Sequence, residues 1–161
     1  NILMMKITDK LHKDTIVYLH SKNRSDAIQE LLDHLVHIDY LKASIKLFSL
    51  LDTDESYTAS NIGRSVAIPH TVSKEIKDLV CVLGISKDGF HYDKNSVHPY
   101  HIIMLSLSPE NSPHAHRKFL SKFQLLLSNT ELKEKIINLK SELDIENVIK
   151  KWESSQMEEY I

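Results

Sequence analysis

Cysteine occurs once in the 161 residues, as Cys81 in the apolar run LVCVLGI, so neither an internal disulfide nor a multi-cysteine zinc site can form. A reducing, cytoplasmic setting is the expected one. Net positive charge is missing as well: 22 acidic side chains outnumber 20 basic ones, and the resulting −2 gives no global field to draw in nucleic acid or an anionic membrane surface. Any recognition of phosphate must be local. No run approaches the roughly 20 apolar residues that a spanning helix needs, and NILMMKITDK has neither a basic start nor an apolar signal-peptide core, so membrane insertion is not expected. Repeats, low-complexity tracts and linkers are also lacking. What is present, 42% hydrophobic residues, is enough for one substantial core, and a single domain over 1–161 is expected. The start at Asn1 rather than Met suggests a trimmed piece or fragment of a longer chain.

The short β-branched and aromatic TIVYL (15–19) predicts a strand. In NRSDAIQELLDHLVHI, apolar residues recur every three to four positions from Ala27 to Ile38, which predicts an amphipathic helix capped by Asn23 or Ser25. A second helix is expected over 40–51. The Asp-, Ser- and Thr-rich stretch 52–64 then predicts a surface loop leading to a short strand at 65–68. DLVCVLGI and YHIIMLSL read as central strands, with turns around a short extended piece between them. From Ser112 the pattern becomes helical: SPHAHRKFLSKFQLLLSN has a serine at the N-cap and proline at the first helical position. Two further helices follow in TELKEKIINLK and SELDIENVIKKWESS. Strands and helices so mixed predict an α/β sandwich with helices covering a mixed sheet.

Ten histidines are candidates for chemistry. A single histidine is more often structural or exposed than catalytic, and His12, His20, His34 and His37 carry only that reading. His34 and His37 lie three apart on a helix and could share a metal, but no third ligand is evident nearby. His114 and His116 sit two apart where a helix begins, so they point to different faces. Either lies near unpaired backbone N–H groups and the positive end of the helix dipole, which favours both an incoming phosphoryl group and a neutral imidazole. His70 follows Pro69, whose fixed φ and effect on Ile68 end the strand SVAI abruptly and present the next side chain on a rigid mount. Such an imidazole suits covalent catalysis when one nitrogen is basic and the other is oriented by a hydrogen bond. An ordinary histidine in a strand-end turn fits the same ten residues.

NIGRSVAIPH (61–70) resembles the phosphorylation-site signature of enzyme IIA of the bacterial phosphotransferase system, fructose/mannitol type, a group that includes the nitrogen-related regulatory IIA proteins. The family typically reads Thr-x-Ile-Gly-x-Gly-Ile-Ala-Ile-Pro-His, and Ile62, Gly63, Ala67, Ile68, Pro69 and His70 match it. GFHYDKNSVHPYHIIMLSLSP is similar to the family's turn and following strand, and HRKFLSKFQLLLSN to its helix opening with a second site histidine. The likeness runs from about Thr15 to Trp152.

The resemblance implies that His70 accepts a phosphoryl group from the phosphocarrier protein HPr and passes it to a IIB domain, with His116 positioning or stabilising it. It implies no cofactor and no metal, and it gives His114 no counterpart. Ser60 stands where threonine is usual and retains a hydroxyl for phosphate or imidazole. The places where most members carry Arg-Glu hold Asp54 and Glu55, and Asp in place of Arg reverses a charge pair worth roughly 4 kcal/mol at 4 Å and an effective dielectric near 20. Arg64 either compensates or is a solvated loop arginine. Ser65 and Thr71 replace residues that are often small or glycine, and Ser96 and Val97 replace an Asp-Gly turn. The missing arginine leans the reading toward regulatory phosphorylation of the nitrogen type. The alternatives are a binding module with weak or no transfer to its regulatory target, and the IIA domain of a fructose/mannitol-type sugar transporter.

Overall fold

The computed structural model describes residues 5–52, 65–92 and 97–158. In chain order these form β1 (Ile16–Tyr18), α1 (Arg24–His37), α2 (Ile45–Asp52), β2 (Val66–Ala67), β3 (His70–Ser73), β4 (Val80–Phe90), β5 (Tyr100–Pro109), α3 (Pro113–Ser128), α4 (Thr130–Asn138) and α5 (Glu142–Glu158). The strands make one mixed sheet. β1 pairs parallel with β4, β4 antiparallel with β5, and both β2 and β3 lie parallel along the other side of β5. The expected α/β sandwich is the fold found.

The continuous apolar runs of β4 and β5 are buried because helices cover both faces. Side chains alternate between the faces. On one face Ile103, Leu105 and Leu107 meet Ile28, Leu31 and Leu35 of α1 and Leu47 of α2. On the other, Ile102 and Met104 meet Phe119 and Phe123 of α3, with Ile136 of α4 and Ile149 of α5. α1 sits close to the sheet at Gly84, where an added Cβ would come within 3.0 Å of Leu31 of that helix and 2.9 Å of Leu19. The 3-10 turns that precede β1, Ile7–Asp9 and Lys13–Thr15, are tied to α5 by buried carboxylates. Glu153 accepts from the N–H of Ile7 (2.6 Å) and from the N–H and hydroxyl of Thr8, and Glu146 accepts from Lys13 N–H at 2.9 Å.

Several boundaries differ from expectation for identifiable reasons. α2 starts at Ile45 rather than near Tyr40, because Asp39 turns left-handed (φ 65°) and the N–H groups of Tyr40 and Leu41 both return to the Leu35 carbonyl, closing α1. β4 continues through Phe90 where turns were expected. It absorbs the polar residues through a register irregularity between Ile85 and Phe90, with Gly89 at φ 76°. Asn23 is the residue that caps α1, accepting from Asp26 N–H, and Asn129 rather than Thr130 caps α4. Ser112 occupies the N-cap position of α3, but its side chain makes no capping bond.

The strand expected over 65–68 is found as β2, which stops before Pro69, and β3 resumes the same line at His70. Val66 pairs with Ile102 and His70 with Ser106, an offset of 36 in both cases, so β2 and β3 keep one register along β5. Proline lacks the N–H that a continuous ladder would use, but its carbonyl still accepts from Ser106 N–H at 3.1 Å. At the start of this line Ser65 has φ 80°, the left-handed region that favours glycine, while its carbonyl accepts from the N–H groups of His101 and Ile102. The glycine of the family signature falls at this position. Ser65→Gly should therefore raise stability by about 0.5–1 kcal/mol, the relief of left-handed strain exceeding the entropy that glycine loses. A urea midpoint that moves down instead would refute the strain.

Candidate functional site

The shared register determines what surrounds His70. Residues paired across parallel strands project to the same face, so the His70 side chain lies beside that of Ser106, on the face covered by α3. Cys81 of β4 pairs with Ser106 from the opposite side, giving a row Cys81, Ser106, His70 across the sheet. His116, the fourth residue of α3, comes down on this row. Its ring lies 5.5 Å from that of His70, nearly perpendicular at 79°, and its Nε2 is 2.7 Å from Ser106 Oγ. Two histidines expected to work together are thus brought together by strand pairing and one helix.

The two rings are held differently. His70 is half-buried, and its Nδ1 donates to the Ile68 carbonyl at 2.7 Å. A carbonyl oxygen only accepts, so the Nδ1 proton is fixed there and, in the neutral ring, the lone pair is on Nε2. The bond is local, joining the His70 ring to the carbonyl two residues earlier, across Pro69. His116 is buried, with 6% of its surface exposed. Burial, followed by the neighbouring His70, pulls its pKa down from 6.5 to about 4. It is therefore neutral at neutral pH, as expected for this helix end, with loss of solvent as the first cause.

Other candidates fall away from this centre. His114 is exposed and accepts from Arg117 Nη2 at 3.3 Å. His34 Nε2 donates to the Asp14 carbonyl at 2.7 Å, and no group of three metal-ligating side chains occurs among the described residues. Cys81 lies under the site, but burial pushes its thiol far above the usual range, so it is no nucleophile at neutral pH. Ser60, Arg64, Asp54 and Glu55 all lie outside the described residues, as do Ile62, Gly63 and Ser96. The described chain reaches that loop from α2, whose last turn is held by Arg24. Its guanidinium donates to the carbonyls of Leu51 (2.8 Å) and Asp52 (2.7 Å), pairs with the Asp52 carboxylate at 3.1 Å and lies 5.7 Å from the Tyr92 ring centre.

Sequence reasoning missed Ser106. The signal was available: in YHIIMLSLSP, Ser106 and Ser108 alternate with leucines, placing hydroxyls on one face of an otherwise apolar strand.

Known proteins share this arrangement of elements. The family model for the phosphoenolpyruvate-dependent sugar phosphotransferase system, EIIA 2, matches residues 9–152. Over 146 residues the chain is 28% identical to the PTS system fructose-specific EIIABC component of Bacillus subtilis, covering 90% of this chain and 23% of that protein. The chain thus spans about a quarter of that relative's length. Nitrogen regulatory protein IIA-Ntr from Neisseria meningitidis superposes with a TM-score of 0.77 at 22% identity, covering 89% of this chain and 98% of that one. Enzyme IIA mannitol from Escherichia coli, solved in complex with phosphorylated enzyme IIB mannitol, gives 0.70 at 14% identity, over 87% and 96%. At such identities the two structures establish likeness of fold.

The depressed pKa of His116 has a consequence for stability. Between about 4 and 6.5 the unfolded chain protonates this side chain and the folded one does not, so stability is lost as pH falls through that window. Relative to His116→Gln, which cannot titrate, the parent should lose on the order of 2–3 kcal/mol from pH 7 to pH 4. Urea unfolding across that range tests this, and parallel curves for the two proteins would contradict it.

Proposed function

The chain belongs to the EIIA 2 family of the phosphoenolpyruvate-dependent sugar phosphotransferase system, fructose/mannitol type, and on that premise we propose that His70 Nε2 carries the phosphoryl group. The single observation that carries the reading is the 2.7 Å bond from His70 Nδ1 to the Ile68 carbonyl, which leaves Nε2 as the nucleophilic nitrogen. Phospho-HPr is the donor. As the Nε2 lone pair forms the new P–N bond in line, the donor's bond to phosphorus breaks and the donor keeps that electron pair. The His70 ring gains positive charge, which the Ile68 carbonyl stabilises through the Nδ1 proton it already accepts. No metal and no cofactor is needed, because positioning and local charge supply the catalysis.

His116 has the complementary role. A unit negative charge as far from His116 as the His70 ring, 5.5 Å, favours the imidazolium by about 3 kcal/mol at an effective dielectric near 20. That offsets the burial that keeps His116 neutral in the resting protein, so it takes up a proton as the phosphoryl group arrives and steadies it. The α3 N-terminus, with its unpaired N–H groups, adds favourable potential at the same end.

The phosphoryl group then passes to a IIB domain, or its presence on His70 is read by a regulatory target. The fructose-specific relative supports the first route. Asp54 in the place of the usual arginine supports the second, because reversed charge slows transfer while leaving a phosphorylation mark possible.

Incubation with enzyme I, HPr and phosphoenolpyruvate should produce a heat- and acid-labile phosphate on the parent and none on His70→Ala. His116→Ala should label more weakly or lose its label about tenfold faster, the loss of roughly one charge-assisted hydrogen bond. Equal labelling of His70→Ala would overturn the site. Failure of the parent to label with any cognate HPr would favour the binding-module reading, and passage of label to an added IIB domain would favour the transporter route.

A further inference from the structure

We propose that Ser106 is a positioning residue for His116, holding the imidazole beside His70 in a way that lets it change protonation without moving. The inference rests on the reading that His70 carries the phosphoryl group. Ser106 is fully buried in an apolar strand, where a hydroxyl without a partner is costly, and the bond that satisfies it is the 2.7 Å contact with His116 Nε2. Its neighbour on the same face, Ser108, turns instead to the Pro109 carbonyl, so the contact is particular to Ser106.

The chemistry of the partner distinguishes the two histidines. His70 Nδ1 faces a carbonyl, which only accepts, and its proton is fixed. His116 Nε2 faces a hydroxyl, which both donates and accepts. When His116 is neutral with its lone pair on Nε2, Ser106 donates. When His116 is protonated, Nε2–H donates and the Ser106 hydroxyl rotates to accept. A carboxylate at this position would favour imidazolium at all times, and an apolar side chain would leave Nε2 without a bond in a buried site. Ser106 also shares its register position with His70, so one β5 residue fixes the distance between the two rings. Among the described residues, the titratable groups on this side of His116 are His70 and, in the same row across Ser106, Cys81 of β4, whose thiol burial keeps protonated, whereas His114 and Arg117 of α3 are exposed and bonded to each other.

The test compares Ser106→Ala and Ser106→Val with Ser106→Thr, which has the shape of valine and keeps the hydroxyl. One readout is the 15N ring shifts of His116 in the unphosphorylated protein. The other is the half-life of phosphate on His70 after removal of the donors. Both are judged on samples whose circular dichroism matches the parent. Loss of the hydroxyl should alter the His116 tautomer balance and shorten the half-life about tenfold, the effect of one buried hydrogen bond, while threonine restores both. A merely structural serine would lower stability but leave the ring shifts and half-life as in the parent, and that result would overturn the proposal. If the parent accepts no phosphate, the reading of His70 fails, and unchanged His116 ring shifts in Ser106→Ala would separately refute the role of Ser106.

Discussion

Strand β5 has two pairing edges. β4 satisfies one, and the line of residues 66–73 must satisfy the other in a single register despite the proline in its middle. That constraint determines the site. With the register at Val66–Ile102, His70 falls opposite Ser106, and the alternation of a strand sends both side chains toward α3. A slip of one residue would turn His70 to the face packed by α1 and α2, far from His116. Pro69 costs one ladder donor, and the carbonyl just before it accepts from the ring just after it, so the interruption and the bond that fixes the His70 Nδ1 proton lie within three residues.

Around this line, the molecule keeps two imidazoles in different surroundings. His70 is half-buried with its proton fixed on Nδ1, whereas His116 is nearly solvent-free and held neutral. The difference is useful only if charge arrives between them. A cationic His116 beside an empty His70 would be expensive to bury, but a neutral one is stable and becomes cationic when an anion is placed on its neighbour. The same burial that depresses His116 silences Cys81 beneath the site, leaving the two imidazoles as the nucleophilic groups there among the described residues.

Much of this was legible in the chain because periodicity reports burial directly. The apolar spacing of α1 and α3 and the unbroken apolar runs of β4 and β5 each corresponded to one packed face or two. What the sequence obscured were features decided by partners distant in the chain. The polar SKDGF tail of β4 reads as a turn, yet strand pairing with β5 carries it to Phe90. Tyr40 and Leu41 match a helix pattern, but the left-handed Asp39 assigns their N–H groups to the end of α1. His70 was singled out from its local proline and from the family signature, while its bond to Ile68 and the Ser106–His116 contact depend on folding. The positive φ of Ser65 likewise explains why glycine is usual there, a preference that the serine itself does not reveal.

The central claim is that the fold presets His70 for attack through Nε2 before any phosphate is present. A two-bond 1H–15N spectrum of the histidine rings in the unphosphorylated protein tests it directly. The neutral His70 ring should carry its proton on Nδ1, hydrogen-bonded to Ile68, with Nε2 showing the shift of an unprotonated nitrogen. A His70 ring protonated on Nε2 at neutral pH, with Nδ1 bare, would contradict it.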